Sequence, residues 1–192
     1  MNTLTTNYDQ KVSVRDKILL TAYELFYSTG FRATGVDTLI KQAKVTKVTF
    51  YRHFPSKGLL ILAYLQYRHE LWITWFETTL RHYLEEGRAA SDALAATLNG
   101  WFISPLFHGC AFINASAEAK SEDNESEIKA ICRNHKSETR EKIASLTGIA
   151  DDAINTQILM LIDGAIIHAQ MGMDTKEVVS QLRRGLEALI PR

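Results

Sequence analysis

Residues 34–57 read TGVDTLIKQAKVTKVTFYRHFPSK, two short helical patterns about a tight break. Val36, Leu39, Ile40 and Ala43 recur at three- and four-residue spacing, so one face of a short helix packs while Lys41 and Lys44 stay in water. Thr34 stands where it caps that helix, and Asp37 three residues on is the reciprocal capping-box acceptor, which starts the helix near Gly35. Val45 and Thr46 interrupt the pattern. Thr46 then caps a second helix carrying Val48, Phe50, Tyr51 and Phe54, and Pro55 ends or redirects it. Two short helices about a tight break make a helix-turn-helix.

The second helix is barely two turns long and does not persist unaided, because nucleation fixes several residues for one hydrogen bond. Val48 and Phe54 are expected to pack inward and hold it, leaving Thr46, Lys47, Thr49, Tyr51, Arg52 and His53 to project from the other side. Hydroxyls, an ammonium and a guanidinium on one helix suit a major groove, where base edges and phosphates offer acceptors. The alternative is a merely solvated polar face.

Outward from this stretch the chain stays helical. Ile18, Ala22, Leu25 and Phe26 form a stripe with Ser13 as cap, Asp16 at the capping-box position and Gly30 as C-cap. Phe31 is expected to pack under the two helices that follow, closing a three-helix head within residues 1–60. Residues 1–12 carry no apolar period and are expected to fray, with Lys11 a candidate minor-groove or phosphate contact. No glycine or proline linker follows the head. Lys57 leads into a long pattern with Leu60, Tyr64, Tyr67, Leu71 and Trp75, so the head is expected to join rigidly to a helical body over 61–192. Further helices are expected over 91–101, 110–120, 126–146, from Asp151 and Asp152 onward, and 175–189. Ile154, Ile158, Leu159, Leu161, Ile162, Ala165, Ile166, Ile167 and Ala169 make one of these apolar nearly all round, and Gly164 permits close approach. A second subunit is the simplest cover for its remaining face, which points to a two-fold dimer through the last long helices. The fold class is all-α.

The run AKVTKVTFYRHFPSKGLL resembles the recognition segment of the TetR/AcrR family of transcriptional regulators, roughly A-G-V-S-x-G-T-L-Y-x-H-F-x-S-K-x-x-L. Ala43, Val45, Thr49, Tyr51, His53, Phe54, Ser56, Lys57 and Leu60 fall on pattern positions. Lys44 stands where glycine is usual and has to accept a left-handed backbone; Val48 stands where a small residue is usual. The resemblance is specific over about residues 13–65. It implies phosphate contacts from Thr34, Tyr51 and Lys57, with Lys47, Thr49, Thr46, Arg52 and His53 near bases or backbone and Lys44 among the DNA-facing residues. It also implies a homodimeric repressor on a double-stranded operator, released by a small apolar or aromatic effector bound among the body helices. Trp72, Trp75, Trp101, Phe102, Phe107, His108, Phe112, Asn114 and His168 are residues of the kind that line such a pocket, although each also suits a core. The segment HGCAFINASAE resembles one found in members with LmrA-like bodies.

Charge counting agrees without the resemblance. The 192 residues are neutral overall, yet residues 1–60 hold nine Lys/Arg against four Asp/Glu, +5, and the remainder thirteen against eighteen, −5. A basic head sits on an acidic body. No run of eighteen apolar residues and no apolar leader are present, and two cysteines make no disulfide framework, which suggests a reducing cytoplasm and no membrane.

No catalytic arrangement emerges. His108 and Cys110 flank Gly109 without a third orienting group. Cys132 and His135 at i, i+3, with His168, fall short of the four ligands structural zinc takes, so no metal or cofactor is expected. Trp72, Trp75 and Phe76 suit core packing better than a stacking platform for single strands. The rival to a DNA-binding regulator is an all-helical ligand-binding or enzyme domain whose first helices serve as a packing module.

Overall fold

The computed structural model describes residues 13–120 and 122–190, all helix and connection; the expectations for residues 1–12 lie outside them. Nine helices run among the described residues: α1 Val14–Thr29, α2 Val36–Ala43, α3 Lys47–His53, α4 Lys57–Glu85, α5 Ala90–Phe102, α6 Ala111–Glu118, α7 Glu125–Thr147, α8 Asp152–Gln170 and α9 Thr175–Leu189. Helix ends follow local chemistry. Ser13 Oγ accepts the Asp16 N–H at 3.1 Å, capping α1, and donates to the Asp16 carboxylate at 2.7 Å. Asp151 and Asp174 cap α8 and α9 in the same way.

The chain forms two compact units. One contains α1 to α3, the first turns of α4, and α6 with the start of α7. Its core is Ile18, Ala22, Phe26, Phe31, Leu39, Ala43, Phe50, Phe54, Leu60, Ile61 and Tyr64, all buried. Phe26 meets Phe31 and Tyr64 edge-on at 6.3 and 5.5 Å. Arg68 is 2% exposed in this unit, donates to the Tyr23 hydroxyl and stacks over Tyr27 at 3.9 Å. The ring faces replace part of the solvation the guanidinium loses.

Two glycines let the far segment of this unit approach the head. The Glu118 carboxylate at the end of α6 accepts the Arg32 N–H at 2.9 Å and lies 2.8 Å from where a Cβ on Gly30 would stand. Asn124 occupies the space a Cβ on Gly58 would need.

The second unit contains the rest of α4 and α7 together with α5, α8 and α9. Both α5 and α8 pack on α9, whose Val178, Leu182 and Leu186 form the buried stripe. Gly185 brings α9 against Leu161 of α8, 2.6 Å from a Cβ position. Lys136 of α7 bridges to Asp163 of α8 at 2.5 Å and to Cys110 Sγ at 3.6 Å. Burial alone would depress its pKa, but Cys110 and Asp163 outweigh that and hold it above the ordinary lysine value.

Gly30 combines φ +84° with the Glu118 oxygens at its missing side chain. Gly30→Ala is therefore expected to cost about 1–2 kcal/mol, from the left-handed backbone and the displaced carboxylate together. Urea unfolding measures this, and adding Glu118→Ala should recover part of the loss; a Gly30→Ala midpoint equal to wild type would contradict it.

Candidate nucleic-acid interface

The turn between α2 and α3 is set by Lys44, at φ 50°, ψ 49°, the left-handed conformation its position demands. Its N–H bonds the Lys41 carbonyl and the Val45 N–H bonds the Ile40 carbonyl, each at 3.2 Å, which closes a Schellman motif without a glycine. Thr46 then caps α3. Its Oγ1 accepts the Thr49 N–H at 3.2 Å and shares a hydrogen with the Thr49 hydroxyl at 2.9 Å.

What holds α3 differs from the expectation at one residue. Val48 is 78% exposed, and Phe50, fully buried, packs inward together with Phe54. The reason is angular: residues 50 and 54 stand one turn apart on the same face, whereas two residues separate Val48 from Phe50 by about 200° around the helix. Arg15 of α1 covers the Phe54 ring at 5.0 Å. Phe50 was missed because an apolar pair at i, i+6 was preferred to the i, i+4 pair.

The remaining surface of the α2–α3 segment carries the expected polar set. Thr46, Lys47, Tyr51 and Arg52 are exposed, Thr49 and His53 half-buried. Lys44 is exposed in the turn, and Lys57 is half-buried at the start of α4. Tyr51 is steadied edge-on by Phe50 at 5.4 Å.

Thr34 departs from its expected place. It does not cap α2, which begins after Gly35 with no side-chain cap. Its side chain is 3% exposed; the hydroxyl donates to the Gly30 carbonyl at 2.7 Å and meets the Thr29 hydroxyl at 3.0 Å. Its hydroxyl, spent on the α1 C-terminus, braces the loop from inside.

The aromatic residues singled out in the body divide into two groups. Trp72, Trp75, Trp101, Phe102 and Phe107 meet in one cluster within the second unit, with Trp72–Trp101 at 5.6 Å and Trp101–Phe107 at 5.1 Å. Phe76 stacks on Trp72 at 4.9 Å and His135 meets it at 5.0 Å; neither figured among the pocket candidates. Trp72 Nε1 is buried with no hydrogen-bond partner. Phe112 instead pairs with His69 in the first unit, where half-buried Asn114 also lies, and His108 and His168 are exposed. Cys110 is buried beside Lys136. Among the described residues no three His, Cys, Asp or Glu side chains gather as metal ligands, and no helix is long and apolar enough to cross a membrane.

Comparison with known proteins follows the same division. The family model of bacterial regulatory proteins, tetR family, matches residues 18–64. A TetR-family transcriptional regulator from Streptomyces coelicolor is similar over the fold, with 31% identity, 92% of this chain and 87% of that chain covered, and a TM-score of 0.78. The repressor NemR of Escherichia coli K12 is 31% identical over 109 residues, 54% of this chain and 53% of NemR. The multidrug binding protein EbrR, crystallised with malachite green, shares the fold at 18% identity, with 93% of this chain and 98% of that chain covered and a TM-score of 0.72. The chain spans about half the length of NemR and a fifth to a third of three other curated relatives that it matches.

The Schellman turn carries its own test. Lys44 bears the left-handed conformation that glycine adopts without strain. Lys44→Gly is expected to raise stability by up to about 1 kcal/mol, read from the urea midpoint. A loss of stability would mean the lysine side chain contributes more to the turn than its backbone strain costs.

Proposed function

The chain belongs to the TetR family of bacterial transcriptional regulators, and from that premise we propose that it is a dimeric, DNA-binding repressor released by a small apolar or aromatic effector. The observation that carries the DNA reading is the solvent-facing surface of α3, where Lys47, Tyr51 and Arg52 are exposed and Thr49 half-buried while Phe50 and Phe54 are buried. A side-chain set of donors held on a rigid backing suits base edges and phosphates. Lys47 and Thr49 are assigned to bases, Tyr51 and Lys57 to phosphates, and Lys44, Thr46, Arg52 and His53 to the surrounding backbone. Residues 1–60 supply this reader, and 61–192 supply the effector site and the dimer face.

The dimer reading rests on α8. Met160, Gly164, Ile167 and Met171 recur along one side of it; Met160 and Met171 are 69% and 73% exposed, and nothing lies within 4 Å of a Cβ on Gly164. An apolar helix stripe left in water, with a glycine in it, suits a copy of itself across a two-fold axis. The effector reading rests on the cluster around Trp72 and Trp101, with the partnerless Trp72 Nε1 as a donor for an acceptor on the ligand. Malachite green, with which EbrR is complexed, is an aromatic compound of the kind such a cluster suits. Release requires the effector to prefer a conformation in which the two α3 helices no longer match successive major grooves, about 34 Å apart. Such a regulator works in the cytoplasm, where its operator is.

Gel-shift titration of Lys57→Ala should show weaker binding to every duplex and a log–log salt slope lower by about one. Lys47→Ala should shift sequence preference instead. An unchanged slope removes Lys57 from the phosphates, and equal losses on operator and random duplex remove Lys47 from the bases. No binding of wild type to either duplex at low salt would favour a helical ligand-binding domain whose head is a packing module. Sedimentation at micromolar concentration should give twice the chain mass, and a monomer would refute the α8 face.

A further inference from the structure

Val48 stands out on the face that α3 presents. At 78% exposure it is the most exposed of the large apolar side chains among the described residues, and in the first unit it exceeds Leu59 at 43% and Val14 at 42%. It stands one turn before Tyr51 and Arg52, so it shares their outward face, with Lys47 and Thr49 about 100° to either side. Folding gains nothing from it there. A β-branched residue at an exposed helical position has a lower helix propensity than alanine, and its methyl groups order water.

The same stiffness makes Val48 suited to reading. Its χ1 torsion is restricted, so its two methyl groups occupy a fixed place at little further entropic cost when a surface closes over them. The capping hydrogen bond from the Thr49 N–H to Thr46 fixes the turn that carries Val48, and Phe50 anchors the next. On the major-groove edges of the four bases, donors and acceptors dominate, and the apolar group is the C5-methyl of thymine.

We propose that Val48 is a specificity-determining residue that packs against a thymine methyl in each half of the operator. The assignment rests on the DNA-binding reading of α3 and adds to it a base identity that the polar side chains do not supply. Lys47 and Thr49 read hydrogen-bonding edges; Val48 distinguishes thymine from cytosine by shape and apolarity.

The test replaces thymine by deoxyuracil, which removes the methyl and keeps every hydrogen-bonding group. Using the duplex that the wild-type protein enriches from a random pool, each thymine is replaced in turn and affinity measured for wild type, Val48→Ala and Val48→Ser. One thymine in each half-site should weaken wild-type binding about four-fold when replaced, the value of one buried methyl. The same replacement should leave Val48→Ala and Val48→Ser nearly unaffected, a coupling that general loss of structure does not produce. The side chain is exposed, so both variants should unfold in urea at close to the wild-type midpoint. A thymine effect of equal size in wild type and Val48→Ala, or enriched half-sites in which no thymine replacement weakens binding, overturns the assignment while leaving DNA binding intact. Failure of wild type to enrich any duplex overturns both.

Discussion

The burial of Phe50 beneath α3 is the contact on which the head depends. A seven-residue helix loses more in nucleation than its own hydrogen bonds return, so its existence is a tertiary matter. Phe50 and Phe54 contribute burial worth about 1.5–3 kcal/mol each and both point the same way, which fixes the helix in rotation as well as in place. Once the rings are down, Lys47, Val48, Tyr51 and Arg52 have nowhere to go but outward. The cap at Thr46 and the left-handed Lys44 set where α3 begins, and Arg15 over Phe54 ties it to α1.

Support for that contact comes from farther along the chain. Glu118 reaches the Arg32 N–H across 86 residues, and Asn124 occupies the space beside Gly58. Thr34 turns its hydroxyl to the Gly30 carbonyl, so the α1–α2 connection is braced from within by Thr34 and from outside by Glu118. α6 and the start of α7 belong to the same compact unit as the head, and Glu118 and Asn124 make their close approaches to it. The chain passes between the units at three places, within α4, just before α6 and within α7.

Local chemistry made much of this legible in the sequence. Ser13 with Asp16, Gly30, Thr46 and the bounds of α9 follow from capping and periodicity alone, and the strain at Lys44 follows from a lysine at a position that needs φ above zero. Errors arose where a residue had two local uses and the wider packing chose between them. Thr34 has the right spacing to cap α2, yet its hydroxyl is claimed by Gly30, and Val48 was placed inside at the expense of Phe50 because angular position outweighs apolar character on so short a helix. Glu118 gave no sequence signal, since nothing local ties an acidic residue at the end of α6 to a backbone N–H at position 32. The body's aromatics were recognisable as a set but not in their grouping: Trp72 and Trp101 meet across two helices, while Phe112 goes to His69.

In the proposed function two copies of α3, each backed by Phe50 and Phe54, enter one side of a duplex together. Selection of bound sites from a random pool of duplex DNA tests it most directly. The account predicts an enriched site with two-fold symmetry, its half-sites centred a whole number of helical turns apart, about 34 Å for one turn. Enrichment of a single unrepeated element, or no enrichment at low salt, would contradict it.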